Sequence, residues 1–294
     1  MGEEKTGWAE GILDTKTILF GVFGDPVGHS KSPLMLNRAF REAGINGAYG
    51  AFHILPGTLR AAVEGIRALG FRGVNVTIPH KVEVMSYLDK IDEAAQAIGA
   101  VNTIVNDNGV LTGYNTDGIG YVRSLKEETG VSLAGKEVLL LGAGGAARGI
   151  VYALAKEGVG RIVIANRTEE RARELARDMA AYVPAEGIGI REIGGFMDRT
   201  ELVINTTAAG MHPNVDELPM DLDPSLLHRE LMVSDLVYNP RITALLKHAA
   251  ETGAQIHSGL GMFIYQGAYA FEYWTGRPAP VEAMRAAVEE AFGS

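Results

Sequence analysis

Short apolar runs alternate with stretches whose apolar positions recur at helical spacing along nearly the whole chain. Ile18–Phe23, Tyr49–Ile54, Gly73–Ile78 and Val101–Val105 are rich in β-branched and aromatic residues and read as strands. Between them Leu59, Ala62, Val63, Ile66 and Leu69 fall on one helical face, closed by Gly70. Asn106-Asp107-Asn108-Gly109 is a turn signal, so Val101–Tyr114 is predicted to form a hairpin and the first third to hold a mixed sheet. From Gly135 the pattern changes. Val138–Leu141, Arg161–Ala165, Leu202–Asn205, Leu231–Val237 and Ala254–His257 read as strands separated by helices or longer crossovers, the signature of a parallel, doubly wound sheet. Val281–Phe292 is a last amphipathic helix. The fold expected is α/β: a mixed-sheet N-terminal domain over 1–117 and a Rossmann-type domain from 118, the boundary resting on the change of pattern near Asp117–Gly118.

Composition narrows the partners. The 294 residues hold 27 Lys+Arg against 36 Asp+Glu, a net charge of −9, which disfavours nucleic acid or an anionic membrane surface as the main partner. There is no cysteine, hence no disulfide and no thiol chemistry. The opening MGEEKTGWAEG lacks the apolar core of a signal peptide. The charge-free run 252–271 is interrupted by Gln, His, Ser and Gly and does not read as a membrane span. A soluble cytoplasmic protein is the expectation. The 37 glycines, about twice the usual share, point to tight turns or close approaches of backbone to ligand.

One such approach is predicted where Val138–Leu141 runs into Gly142-Ala143-Gly144-Gly145-Ala146-Ala147 and a helix follows. Gly142 permits the tight turn, Gly144 admits a pyrophosphate to the backbone, and Ala147 is the third small position where helix packs on strand. The helix start then offers free N–H groups to the phosphates. The next strand ends in Asn166-Arg167-Thr168, where an NAD site usually presents an acidic residue to the ribose. Arg167, with Arg171 four residues on, suits a 2′-phosphate instead, so NADP is the expected cofactor. Arg173 has a plainer use, pairing with Glu169.

Polar residues cluster at other strand ends. In Gly24-Asp25-Pro26-Val27-Gly28-His29-Ser30-Lys31-Ser32-Pro33, Ser32 is expected to cap a helix begun by Pro33, while Ser30 has no obvious structural duty. Hydroxyls and free N–H groups at such a helix start also make a carboxylate site. In Asn75-Val76-Thr77-Ile78-Pro79-His80-Lys81 a helix is expected to begin at Pro79, setting Lys81 at the unfavourable end of its dipole as a plausible proton shuttle. Asn102, inside a predicted strand, needs partners if buried. Asp117 reads as the cap of a helix through Ile119, Val122 and Leu125. Tyr238-Asn239-Pro240 and Gly259-Leu260-Gly261-Met262 follow the fourth and fifth strands of the second series, at carboxyl ends where open α/β sheets bind ligands. Gln266 lies on the helix beyond, by itself an ordinary surface amide. No His/Asp/Glu set has the spacing of a metal site.

GDPVGHSKSP, NVTIPHK, GAVNT, YNTDG, GAGGAARG, NRT, YNP and SGLGMFIYQGA, spread in this order over residues 24 to 268, closely resemble the shikimate dehydrogenase family. The resemblance implies reversible reduction of 3-dehydroshikimate to shikimate with NADPH, a step toward chorismate and the aromatic amino acids. It implies that Ser30, Ser32 and Tyr238 hold the substrate carboxylate and that Thr77, Asn102, Asp117 and Gln266 hold the ring hydroxyls. Lys81, with Asp117, would be the acid/base. Thr206, Gly259 and Met262 would join the nucleotide contacts of Gly142, Ala143, Gly144, Gly145, Ala146, Asn166, Arg167, Thr168 and Arg171. The substrate domain would be completed by 259–294, leaving 118–258 to the nucleotide, in a monomer or homodimer. Two segments depart from the usual family pattern: Thr207-Ala208 after Asn205-Thr206, and Ala244 after Thr243. The nearest rival is a quinate/shikimate dehydrogenase using NAD, against which Ser32 and Arg167 speak by the same resemblance. A non-catalytic NADP sensor would have no need of Lys81 and Asp117.

Overall fold

The computed structural model describes residues 13–293, and the acidic opening segment lies outside them. The chain divides into two compact units, one holding the chain up to Thr116 and from Gln266 onward, the other Asp117–Tyr265. The divisions fall at 116/117 and 265/266, where 117/118 and 258/259 were expected.

The first unit is built on a six-stranded sheet of β1 (Ile18–Gly24), β2 (Gly47–His53), β3 (Phe71–Val76), β4 (Lys90–Ile91), β5 (Thr103–Asp107) and β6 (Val110–Tyr114), in the order β2-β1-β3-β5-β6-β4. β1 is parallel to β2 and β3, whereas β5 is antiparallel to both β3 and β6, so the sheet is mixed as the pattern predicts. The β5–β6 turn is made by Asn108 and Gly109, both with positive φ, the backbone a two-residue hairpin needs. Helices α1 (Ser32–Glu42), α2 (Leu59–Ala68) and α3 (Glu93–Ile98) complete the N-terminal part. The apolar face of α2 (Leu59, Val63, Ile66) is buried with Phe23, Val74, Val76 and Ile104 of the sheet. The two-residue β4 carries no strand pattern of its own and is held by parallel pairing with β6.

The second unit runs through α4 (Asp117–Thr129), β7 (Glu137–Leu141), α5 (Gly145–Lys156), β8 (Arg161–Asn166), α6 (Glu169–Met179), β9 (Ala185–Gly189), α7 (Gly194–Met197), β10 (Leu202–Asn205), β11 (Met232–Asp235), α8 (Ala244–Thr252) and β12 (Gln255–His257). Its sheet has the order β12-β11-β10-β7-β8-β9 and is parallel throughout. That is a doubly wound sheet with its switch point between β7 and β10. Leu139, Leu141, Val163 and Val203 are buried on one side with Leu245 and Leu246 of α8.

β9 has no counterpart among the predicted strands. Its sequence, AEGIG, holds one large apolar residue, and tertiary packing makes it a strand. A Cβ on Gly187 would lie 2.2 Å from the backbone nitrogen of Arg173, so only glycine lets this edge strand press against α6. Tyr238–Pro240 and the Gly259 turn therefore follow the fifth and sixth strands, not the fourth and fifth.

Two last helices, α9 (Leu260–Thr275) and α10 (Val281–Gly293), close the chain. The second half of α9 packs into the first unit, where Trp274 Nε1 donates to the Ile104 carbonyl at 2.9 Å and Phe271 stacks on Phe40. α10 lies against α1. No helix among the described residues is long and apolar enough to cross a membrane.

Candidate active site and nucleotide-binding edge

Because β1 and β3 are parallel and β5 runs the other way, the chain leaves the first two and enters the third at one edge of the sheet. Four backbone hydrogen bonds fasten the polar segments there. Thr77 N donates to Phe23 O at 2.9 Å, Asp25 N to Ile78 O at 3.0 Å, Val76 N to Asn102 O at 2.8 Å and Val101 N to Lys81 O at 2.8 Å. A Cβ on Gly24 would sit 2.3 Å from Thr77 Cγ2, so glycine is what allows the first two segments to approach. Thr77, Lys81 and Asn102, distant in sequence, thus meet at one edge of one unit, and Ser30 and Ser32 follow β1 in the same unit.

Two local expectations are corrected. The residue before α1 is Lys31, whose carbonyl accepts the bond from Met35 N at 3.2 Å; Ser32 is the first helical residue. Its hydroxyl is therefore not spent on capping, and it is buried. After Pro79 there is no α-helix: Lys81 lies in a turn ahead of a five-residue 3-10 segment, Glu83–Tyr87. The helix-dipole argument for Lys81 falls with it, since so short a segment carries little aligned dipole. The buried His80 ring bonds the Ile54 carbonyl at 2.7 Å and holds that turn instead.

Asn102 is buried and hydrogen-bonded through both its amide atoms, as an amide there must be. Its Nδ2 donates to Thr116 Oγ1 at 3.0 Å, and its Oδ1 accepts from Thr116 N at 2.9 Å and Thr103 Oγ1 at 3.0 Å. Behind it, Asn75 Nδ2 donates to Thr103 Oγ1 at 3.1 Å while Asn75 Oδ1 accepts from Tyr49 OH at 2.7 Å. Burial drives the Tyr49 phenol well above its usual range. Asp117, next in the chain after Thr116, is the buried first residue of α4, not the residue ahead of the helix. Gln266 is half-buried on α9, where an ordinary surface amide was the plain expectation.

In the second unit the predicted nucleotide residues gather at the carboxyl edge of the parallel sheet. Gly142 has φ +112, its N–H donates to Ala165 O at 2.8 Å, and a Cβ on it would strike Thr206 Oγ1 at 2.5 Å. Thr206 is held from the other side, its N–H and hydroxyl both donating to Leu141 O at 2.9 Å. Gly144 and Gly145, at the start of α5, behave differently. A Cβ on either would meet no protein atom, so internal packing does not explain glycine there, and backbone N–H groups stand open to a ligand. Ala147, by contrast, is fully buried, as the fingerprint requires of its third small position.

β8 ends at Asn166, whose Nδ2 donates to Thr168 O at 2.8 Å, and Thr168 precedes α6. On α6, Arg173 pairs with Glu169 and Arg177 with Glu170. Arg167 and Arg171 are exposed, and among the described residues neither has an ion-pair partner. Beside Arg167 opens a cavity of about 310 Å³, lined also by Thr207, Ala208, His212, Asn214 and Leu218. Tyr238 stacks on Phe263, ring centroids 4.7 Å apart, and burial raises its phenol. Gly259 has a packing reason of its own, because a Cβ there would lie 2.1 Å from Leu236 O. Met262 is half-buried one turn into the same region.

The polar residues behind both edges went unread in the sequence. Asn75 interrupts an apolar strand, the signal that singles out Asn102, whereas Asn205 and Asp235 end theirs.

Three family models match the chain. The shikimate dehydrogenase substrate binding domain covers residues 22–104, shikimate / quinate 5-dehydrogenase 124–241, and the shikimate 5'-dehydrogenase C-terminal domain 259–289. The NADP(+) shikimate dehydrogenase of Moorella thermoacetica is 50% identical over 286 residues, 96% of either chain. That of Geobacillus kaustophilus is 47% identical over 278 residues, covering 93% of this chain and 98% of its own. A crystal structure of a shikimate dehydrogenase in complex with NADP+ superimposes with a TM-score of 0.89 at 44% identity, over 95% of this chain and 97% of that one.

Proposed function

The chain belongs to the shikimate dehydrogenase family, and from that premise we propose how its own residues carry out the reversible, NADPH-dependent reduction of 3-dehydroshikimate to shikimate. NADPH, when bound, supplies the hydride; the protein orients the reactants and handles one proton. In our reading the fingerprint turn Gly142–Ala146 holds the pyrophosphate, with Asn166, Thr168, Thr206, Gly259 and Met262 as further nucleotide contacts. Arg167 and Arg171 bind the 2′-phosphate, a role supported by the absence, among the described residues, of an ion-pair partner for either, whereas Arg173 and Arg177 of α6 are paired.

Ser30, Ser32 and Tyr238 take the substrate carboxylate, and Thr77, Asn102, Asp117 and Gln266 take the ring hydroxyls. As the carbonyl is reduced, its oxygen acquires alkoxide character and accepts a proton from the Lys81 ammonium. In the reverse direction Lys81 Nζ takes that proton back. Asp117 is the partner of Lys81 in that acid/base role. The observation that carries this reading is the gathering of Thr77, Lys81 and Asn102 with the end of β1 at one sheet edge by four backbone hydrogen bonds, Ser30 and Ser32 following β1 in the chain. We take the enzyme to be cytoplasmic and to work as a monomer or homodimer.

The decisive experiment follows NADPH absorbance with purified protein and shikimate, with NAD and quinate run in parallel. Turnover confined to shikimate with NADP is the expected result. Comparable rates with quinate or NAD would move the chain to the broader type, and NADP binding without turnover would make it a sensor.

A further inference from the structure

Two loops of the second unit leave neighbouring strands: 206–210 after β10, and 237–243 after β11. The first carries Thr206 and the second Tyr238, to which the proposed function gives a nucleotide and a substrate contact. Behind both lies one buried carboxylate, Asp235, at the end of β11. Its Oδ1 accepts from Asn205 Nδ2 at 2.9 Å and from Val237 N at 3.0 Å, and its Oδ2 accepts from Thr243 Oγ1 at 2.7 Å. Each partner continues into a loop. Asn205 Oδ1 accepts from both Thr207 N at 3.0 Å and Thr207 Oγ1 at 2.7 Å, and Thr207 Oγ1 accepts from Ala209 N at 3.2 Å. Thr243 ends the other loop and caps α8 through Leu246 N at 3.4 Å. Two residues beyond the first loop, His212 N donates to Asn239 O of the second at 3.2 Å.

We propose that Asp235 is a positioning residue with two separable branches, setting the nucleotide loop through Asn205 and the Tyr238 loop through Thr243. A carboxylate fits this place because it is acceptor-only and offers two oxygens, so one donor at the end of β10 and two from the loop after β11 meet a single group. Burying it without those donors would be strongly unfavourable, which ties its presence to both loops being in place. The inference rests on the dehydrogenase reading, since it supposes that Thr206 meets nucleotide and Tyr238 meets shikimate.

The full-length chain tests it with three branch variants, reading NADPH Kd by fluorescence titration, shikimate KM at saturating NADP, and Tm. Asn205→Ala should weaken NADPH about ten-fold, the loss of one buried hydrogen-bonding group, with shikimate KM nearly unchanged. Thr243→Val should raise shikimate KM by a similar factor and leave NADPH Kd nearly unchanged, and Thr243→Ser should restore it. Asp235→Ala should move both constants; if that variant does not fold, the two branches still decide. Branch variants that shift both constants alike, or neither while Tm falls, would reduce Asp235 to a structural residue. Those outcomes presuppose a wild-type chain that binds NADPH and turns over shikimate. A wild-type chain that binds no NADPH overturns the dehydrogenase reading itself, and the inference with it.

Discussion

The two units prepare for their ligands in opposite ways. In the first, the candidate residue Asn102 is buried and enmeshed with Thr103, Thr116 and, through Asn75, Tyr49. In the second, Arg167, Arg171, Gly144 and Gly145 are exposed, and neither arginine has a protein ion-pair partner among the described residues. A small, hydroxyl-rich ring is discriminated by a few fixed hydrogen bonds, so its partners must be held rigid before it arrives. A large phosphorylated nucleotide brings its own charge, and groups left without internal partners are those with most to gain from it. On the proposed reading, the contrast is rigidity around the ring and openness around the cofactor.

The sharpest way to break it is Lys81→Ala. Turnover should fall by about a thousand-fold, within the usual range for a general acid–base group, with shikimate binding little changed. Loss of binding with turnover preserved would remove the proposed role. The next contrast pits two glycines of one turn against each other. Gly142→Ala forces a strained φ and a clash with Thr206 and should cost about 1–3 kcal/mol of stability in urea unfolding. Gly144→Ala should leave stability unchanged and weaken NADP binding alone, because the added methyl meets no protein atom. Arg167→Ala should weaken NADP roughly ten-fold and leave NAD unaffected; equal losses would refute the 2′-phosphate role.

In the wild type the two buried titrating groups of the second unit nearly cancel, so its net pH effect is the smallest. Burial lowers the His257 pKa from 6.5 to about 4, its ring nitrogens being taken up by Ser124 and Ser234, and this outweighs Glu128 at 3.6 Å. A lowered base stabilises above its unfolded value, and that contribution is lost as pH falls from 6.5 toward about 4. Burial raises Asp235 from 3.8 to about 6 against its three hydrogen bonds. Its contribution is complete below 3.8 and is lost as pH rises through about 6. Each is worth about 3 kcal/mol at full extent and the signs oppose, so the wild type should vary little between about pH 6 and pH 4. His257→Gln should become more stable on acidification over that window, and Asp235→Asn less. Urea unfolding at both ends of the window checks this, and parallel behaviour of the two variants would contradict it.

What could be read without coordinates was local chemistry. The glycine turn between β7 and α5, the Asn108-Gly109 hairpin and the Arg173–Glu169 pair each depend on residues close in sequence, whose geometry follows from backbone freedom or helical spacing. The alternation of strands and helices likewise followed from the apolar period, which records what each segment must bury. Tertiary structure decided the rest. β9 exists because Gly187 admits the backbone of α6, and the Lys81 turn takes its shape from His80 reaching the distant Ile54. Ser32 is freed from capping because Lys31 offers the first helical carbonyl, and Asp235 gathers partners from two loops. In these places the deciding energy is a contact or hydrogen bond with a part of the chain that no local pattern encodes.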